Sequence, residues 1–401
     1  MKNKNDKNEA AAINYLQCEL KEILGSFLNG GLATSGYISY PIIKKVSSSL
    51  VKRLISLFSF VRSKSQNNGL NFSNSLEKFN QSPNLSNARN FAILVSALYD
   101  YFDKNKNKKM DNIKKINVKS NILDENDYPD KYLSPVLELK KFSQKKLYEY
   151  VVDVHVHGSL ATLDYVKGWS DFDTLVVIKK DTITDYTKIL KLRNLMYVSR
   201  RYLYKIDPLQ HHGHLIFTEY DFDYYCQTFF PIVLFKYSKS LLNNKKFEFK
   251  LRNCDEENFK KFNWFVDYFK NVGENEKCHM NSYNLKFFLH AITLFPTMYL
   301  QAKGFHVYKK FSFDIAKKDF SKKEWDAIDY VSSLRKSWKS PKNLSLIIPY
   351  AKVNPLLAYQ VNSKYWDAMH NIIKLNKMDM KKLVNGMKIL VDSASDKIQK
   401  Y

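Results

Sequence analysis

Apolar residues recur at helical spacing through the first hundred positions. Residues from about Glu9 to Leu28 form one such stretch, followed by a Gly/Ser-rich break, NGGLATSGYISYP. Ile43, Val46, Leu50, Leu54, Leu57, Phe58 and Val61 then share one face of a second helix, with serines and Lys44, Lys45, Lys52, Arg53 and Arg62 around the rest. A basic amphipathic helix of this kind can lie on a membrane surface; more commonly it packs its stripe against its own chain. Residues 63–84 are polar and read as a loop, and a helix is expected from Asn87 to Phe102. The charged stretch DKNKNKKMDNIKK reads as a solvated surface segment, and ENDYPDKYLSP, with Pro129 and Pro135, as a boundary.

The period changes after about Lys146. In YVVDVHVHG, Val152, Val154 and Val156 alternate with Asp153, His155 and His157, a strand pattern. Residues 173–178, DTLVVI, read as a second strand buried on both faces. A helix from about Thr184 to Tyr204 and a third strand at 214–219, HLIFTE, complete an α/β unit. The rest reads mainly helical, clearest over Phe259–Phe269, Tyr283–Lys303, Lys322–Trp338 and Lys364–Val391. The expected organisation is an N-terminal helical region (1–130), a central domain built on a mixed sheet with flanking helices (131–250) and a C-terminal helical domain (251–401).

The chain has 401 residues, of which 45% are hydrophobic and 15% aromatic, enough for a packed core. The formal net charge of +24 suits an anionic partner such as nucleic acid or nucleotide, and coding bias in an AT-rich genome is the competing account. Cys18, Cys226, Cys254 and Cys278 have no metal-finger spacing and read as free thiols of a reducing compartment. There is no signal-peptide pattern and no run near the ~18 apolar residues of a membrane span. A cytoplasmic protein without stable membrane insertion is expected.

The chemistry concentrates in HGSLATLDYVKGWSDFDTLVVI. A strand ends at His157, Gly158 and Ser159 follow, and after the spacer 160–170 comes Asp171-Phe172-Asp173, running into the next strand. Gly158 lets a phosphate approach its backbone closely. A helix starting there would offer free N–H groups to an anion, with the Ser159 hydroxyl as a further donor. Asp171 and Asp173 are two apart on an extended segment and so face the same side. Carboxylates paired in this way suit Mg²⁺ (or Mn²⁺) carrying substrate phosphate, and two such ions can hold the attacking and leaving oxygens of an in-line displacement.

This order of strand, Gly158-Ser159, spacer and Asp171-x-Asp173 resembles the signature of the DNA polymerase beta-like nucleotidyltransferase superfamily, over about residues 150–220. The resemblance implies a mixed sheet with flanking helices, a divalent metal, and transfer of a nucleoside monophosphate from an NTP with release of pyrophosphate. It also implies a third carboxylate from the neighbouring strand. That position here is His214, with His212 two residues earlier and on the same face, in the cluster His211, His212, His214. A neutral imidazole can ligate a metal or accept a proton, so His212 and His214 are expected to complete the catalytic site, His214 as a metal ligand. Asp207, Glu219 and Asp221 are the acids nearby. Many relatives hold the triphosphate with lysine and serine from a helical domain, which points to Lys309, Lys310 and Ser312, with Tyr308 placed to stack on a base. The acceptor is open among RNA, a protein side chain and a small molecule. The alternative is a catalytically degenerate module that binds nucleotide or RNA. A P-loop is absent, and Ser159 with His157 does not make a nucleophile pair.

Overall fold

The computed structural model describes residues 2–30, 45–68, 74–77, 79, 84–106, 114–207, 209–210, 212–228, 230–273, 282–338 and 377–399. Helix α1 (Lys2–Leu28) buries a stripe of Ile13, Leu16, Leu20, Leu24 and Phe27. Helix α2 (Ser48–Asn68) buries Leu50, Leu54, Leu57 and Val61, with Val46 buried just ahead of it; Ile43 lies outside the described residues. These side chains join one core with α1 and with α3 (Ala88–Lys106), so the apolar stripe of the basic helix is taken up by its own chain. No helix among the described residues is long and apolar enough to cross a membrane.

Two expectations for this region change. Residues 63–68 continue α2 rather than opening a loop, and Asn74–Glu77 form a further helical turn. The charged stretch runs into strand β1 (Lys114–Lys119), which takes in its last two residues, Lys114 and Lys115, and pairs antiparallel with β7 (Lys246–Leu251). The strand's alternate residues Ile116 and Val118 pack inward while the lysines face out, which a lysine-dominated composition conceals.

The central sheet has five strands in the order β2 (Asn121–Ile122), β6 (Lys239–Ser240), β3 (Val151–Val156), β4 (Thr174–Ile178) and β5 (Leu215–Thr218). It is mixed: β3–β4 and β3–β6 are antiparallel, β4–β5 and β2–β6 parallel. Val154, Val156, Val176 and Ile178 face the core shared with the N-terminal helices and α6 (Tyr186–Ile206). Val152, Leu175, Val177 and Phe217 face an aromatic cluster with Phe235 of α7 (Ile232–Tyr237) and Phe247 and Phe249 of β7. Both faces are therefore covered, and β3 is buried along its whole length despite its alternating polarity. Its polar positions are paired instead. Asp153 accepts from Ser240 Oγ at 2.7 Å, and His155 Nδ1 lies 3.2 Å from Ser238 Oγ. The Ser134–Phe142 segment is α4.

Burial holds the His155 imidazole below its usual pKa, despite the nearby Asp153. An unfolded histidine takes up a proton below about pH 6.5. Folded His155 resists that proton, so its contribution to stability is intact above pH 6.5 and declines as pH falls. His155→Gln is expected to flatten the acid-side stability profile. The unfolding free energy of the variant should fall by up to about 1.4 kcal/mol less per pH unit than wild type, between pH 6.5 and the lower pKa of the folded imidazole. Denaturant titrations at pH 7, 6 and 5 check this; parallel profiles would contradict it.

The C-terminal part is helical: α8 (Asp255–Asn271), α9 (Ser282–Ala302), α10 (Lys309–Lys317), α11 (Lys322–Ser337) and α12 (Lys377–Gln399). They enclose a second core around Phe265, Phe288, Phe295, Trp325 and Met387. Residues 364–376, expected to be helical, lie outside the described residues, and helix α12 runs past the expected end at Val391. Cys18, Cys226 and Cys254 are free thiols; Cys278 is outside the described residues.

Candidate active site

The β3–β4 hairpin brings the central motif together. His157 N–H donates to Asp173 O at 3.0 Å, so the strand pairing continues past the last residue of β3. Between the two acids, Phe172 turns the other way into the core, and its N–H donates to Gln210 Oε1 at 3.0 Å. Asp171 and Asp173 consequently face the same side, as extended geometry requires. Gly158 stands at φ 68°, ψ −157°, a conformation that favours glycine, and opens the one-turn helix α5 (Ser159–Thr162). A Cβ on Gly158 would lie 2.4 Å from Asp173 Oδ2. The glycine is thus what allows turn and carboxylate to sit against each other.

His212 completes a cluster. Its Nε2 lies 3.1 Å from Asp173 Oδ1 and 3.6 Å from Asp171 Oδ2. One ligand atom from each of Asp171, Asp173 and His212 falls within 4.8 Å of the others. Burial opposes protonation of His212, but its bonds to Asp171 and Asp173 prevail and hold the imidazole well above its usual pKa. Burial likewise opposes ionisation of Asp173, and the bond to His212 outweighs it, keeping that carboxyl below the usual range. Positive charge is favoured between these acids. Two carboxylates and an imidazole with converging donor atoms fit a divalent cation, which would take the place of the His212 proton.

The loop carrying His212 is anchored by the N-terminal helix. Asn29, just past α1, accepts from His214 N–H at 2.9 Å and donates to His214 O at 2.8 Å. Its side chain presses on Gly213, where a Cβ would meet Asn29 Oδ1 at 2.1 Å. The end of α1 is held in turn by two buried arginines of α6: Arg193 Nε donates to Phe27 O at 3.0 Å and Arg200 Nη1 to Asn29 O at 2.6 Å.

Sequence reasoning missed the contribution of α9. Lys286 Nζ lies 3.0 Å from Asp171 Oδ1 and 2.7 Å from Asp207 Oδ2, and His290 Nδ1 lies 3.3 Å from Asp171 Oδ2. Burial and the neighbouring Asp171 push the Asp207 carboxyl up to about 7, against the pull of Lys286. The signal was present: Lys286, His290, Thr293, Thr297 and Gln301 recur every three or four residues on an otherwise apolar helix, forming one polar stripe. Lys286, Thr293, Thr297 and Gln301 on it are buried.

The other expected residues separate into two groups. Gly158, Ser159, Asp171, Asp173, His212, Lys309 and Lys310 all line one cavity of about 710 Å³ between the sheet and the helical region. Lys309 Nζ donates to Thr293 Oγ1 at 3.1 Å; burial lowers its pKa, while the charges of Asp173 and Asp171 work to raise it. Lys310 pairs with Asp164 at 3.5 Å.

His214 and Ser312 do not join the site. The His214 ring is buried, with Nδ1 2.7 Å from Thr174 Oγ1 and Nε2 2.8 Å from Ser199 Oγ, so both nitrogens that could serve a metal are engaged elsewhere. Burial, with Arg200 nearby, depresses its pKa to about 3. Of the two expected histidines, only His212 reaches the acids. Ser312 is fully buried, accepting from Thr297 at 3.0 Å and donating to Lys309 O at 2.7 Å; it ties α10 to α9. Tyr308 lines the cavity, but its hydroxyl lies 3.1 Å from Thr162 Oγ1 and its ring sits against Tyr237. Glu219 accepts from Lys180 N–H and Asp221 closes a capping box with Thr218, both away from the acids. His211 lies outside the described residues.

Comparison with known proteins agrees with this geometry. Residues 137–257 match the family described as Nucleotidyltransferase domain. No curated protein and no solved structure matches the chain. The matched segment contains β3, the Gly158-Ser159 turn, Asp171, Asp173 and His212. Through these residues the segment matches a nucleotidyltransferase domain, consistent with the DNA polymerase beta-like superfamily.

Proposed function

We propose that the protein is a metal-dependent nucleotidyltransferase that moves a nucleoside monophosphate from an NTP to an acceptor, with pyrophosphate leaving. The observation that carries this reading is the convergence of Asp171, Asp173 and His212 beside the Gly158 turn in one cavity. A bound Mg²⁺ or Mn²⁺ would supply Lewis-acid stabilisation of the charge that builds on the transferred phosphoryl group.

The residues divide the remaining work. Asp171, Asp173 and His212 hold the cation. Gly158 keeps the cavity floor low enough for phosphate oxygens, and the Ser159 hydroxyl adds a donor. Lys309, facing the acids from α10, offers a point charge to the triphosphate, with Lys310 beside it at the exposed end of the same turn. The cavity is bounded by both the sheet and the helical region, so the helices choose the acceptor. RNA, a protein side chain and a small molecule each remain acceptors to be assayed, in the company of a basic chain of net charge +24.

A second reading has one observation in its favour. An imidazole, His212, stands where the family's third carboxylate would be expected, which suits a domain that binds nucleotide without turnover. Incubation with labelled NTP and Mg²⁺ or Mn²⁺ separates the two readings. Label transfer or pyrophosphate release supports the enzyme, and nucleotide binding without either supports the binding module.

Gly158→Ala tests the turn. The new methyl would fall on Asp173 Oδ2 and also strain the positive φ. Turnover is expected to drop about 100-fold, as for a misplacement near 1 Å, while the fold persists. Steady-state kinetics with circular dichroism check this; near-normal turnover would contradict the assigned role of the glycine.

A further inference from the structure

The contact between α9 and Asp171 goes beyond scaffolding. Lys286 Nζ is 3.0 Å from Asp171 Oδ1 and 2.7 Å from Asp207 Oδ2, and the side chains of Lys286, Asp171 and Asp207 are 1%, 5% and 1% exposed. An ion group this buried is held in one geometry and is little screened by water or salt. The lysine is carried by the C-terminal helical region, while both acids belong to the nucleotidyltransferase domain.

Two-ion phosphoryl-transfer sites place their ions roughly 3.5–4 Å apart. A carboxylate that bridges two such ions with one oxygen to each uses both of its oxygens. In this chain Oδ1 is already occupied by an ammonium group, whereas Oδ2 faces His290 Nδ1 at 3.3 Å and His212 Nε2 at 3.6 Å. A second dication on the Oδ1 side would meet that ammonium at close range in a buried setting, where like charges repel strongly.

We propose that Lys286 is a built-in cation that stands in for a second divalent ion, so that the centre binds one ion, on Asp171, Asp173 and His212. This inference rests on the nucleotidyltransferase reading above. Lys286 is on this account a positioning residue: it holds Asp171 so that Oδ2 is directed at the ion. It also makes an intact α9 part of the catalytic centre.

The test counts ions. Full-length protein is dialysed against Mn²⁺ with one equivalent of a non-hydrolysable NTP analogue, and bound ions are measured by metal analysis and electron paramagnetic resonance. Wild type is expected to hold one Mn²⁺ per chain with no spin coupling between ions. Lys286→Met, which removes the charge while keeping a similar length, is expected to hold two. Two coupled ions in wild type would overturn the proposal, as would one ion in folded Lys286→Met. If that variant fails to fold, the wild-type count decides alone. Two ions together with pyrophosphate release would remove this inference and leave nucleotidyl transfer standing; no bound ion and no turnover would remove both.

Discussion

Asp173→Asn is expected to reduce nucleotidyl transfer by about three orders of magnitude, with little loss of fold. The magnitude follows from removing a charged group that acts on the developing transition state, typically about 10²–10³ per group for preorganised electrostatic contacts and more for a metal ligand. Asp173 is the better probe of the pair. Its side chain is 28% exposed and faces His212, whereas Asp171 also balances buried Lys286. Loss of Asp171 would leave that lysine with Asp207 alone, confusing catalysis with stability. The variant also makes a second prediction. Without the Asp173 charge, the His212 imidazole loses one of the two partners that hold its pKa up, so that pKa should fall. Pyrophosphate release and thermal melting on the same preparations give the comparison. Retained turnover within tenfold of wild type would exclude Asp173 from the chemistry.

Arg200→Ala is expected to destabilise the protein by about 3 kcal/mol and to loosen the site from a distance. The guanidinium is 1% exposed, donating to Asn29 O at 2.6 Å and to Tyr204 Oη at 2.7 Å. Hydrogen bonds from a charged donor contribute about 1.5–3 kcal/mol each, and the truncation strands a carbonyl at the end of α1. Asn29 in turn clasps His214 backbone, two residues beyond His212. A stability loss together with weaker Mn²⁺ binding is the expected pair of results, read by denaturant titration and calorimetry. A stability loss with unchanged ion affinity would separate the α1 anchor from the site.

Much of the candidate site was legible in the sequence because its signals are local. The apolar run of β4 and the alternation in β3 fixed two strands, and extended spacing placed Asp171 and Asp173 on one face. The Gly158 turn was recognisable for the same reason: one residue type solves one backbone problem. The paired short strands were harder. β2 and β6 are two residues each and stand in the sheet only through their long-range pairing. β1 hid because its outward positions are lysines.

The identity of the third group at the acids was readable only to within two residues. His212 and His214 share a face by spacing, yet Gly213 and the Asn29 clasp direct them differently: one ring reaches Asp173 while the other is held by Thr174 and Ser199. Nothing local to HHGH encodes that choice, since Asn29 lies 185 positions away from His214. Lys286 and His290 were missed for a related reason. Their stripe on α9 is visible as periodicity, but its target, Asp171, is set by tertiary packing. Ser312 was misjudged because a buried hydroxyl bridging two helices looks, in sequence, like one poised over phosphate.

The central claim is that Asp171, Asp173 and His212 hold a divalent ion against a nucleotide lying over Gly158. A crystal structure with Mn²⁺ and a non-hydrolysable NTP analogue, phased to give anomalous differences at the manganese edge, measures this directly. The account predicts an anomalous peak at bonding distance from all three side chains, with triphosphate oxygens completing the coordination. A nucleotide seated elsewhere, or manganese absent from these three residues while the nucleotide is bound, would contradict it.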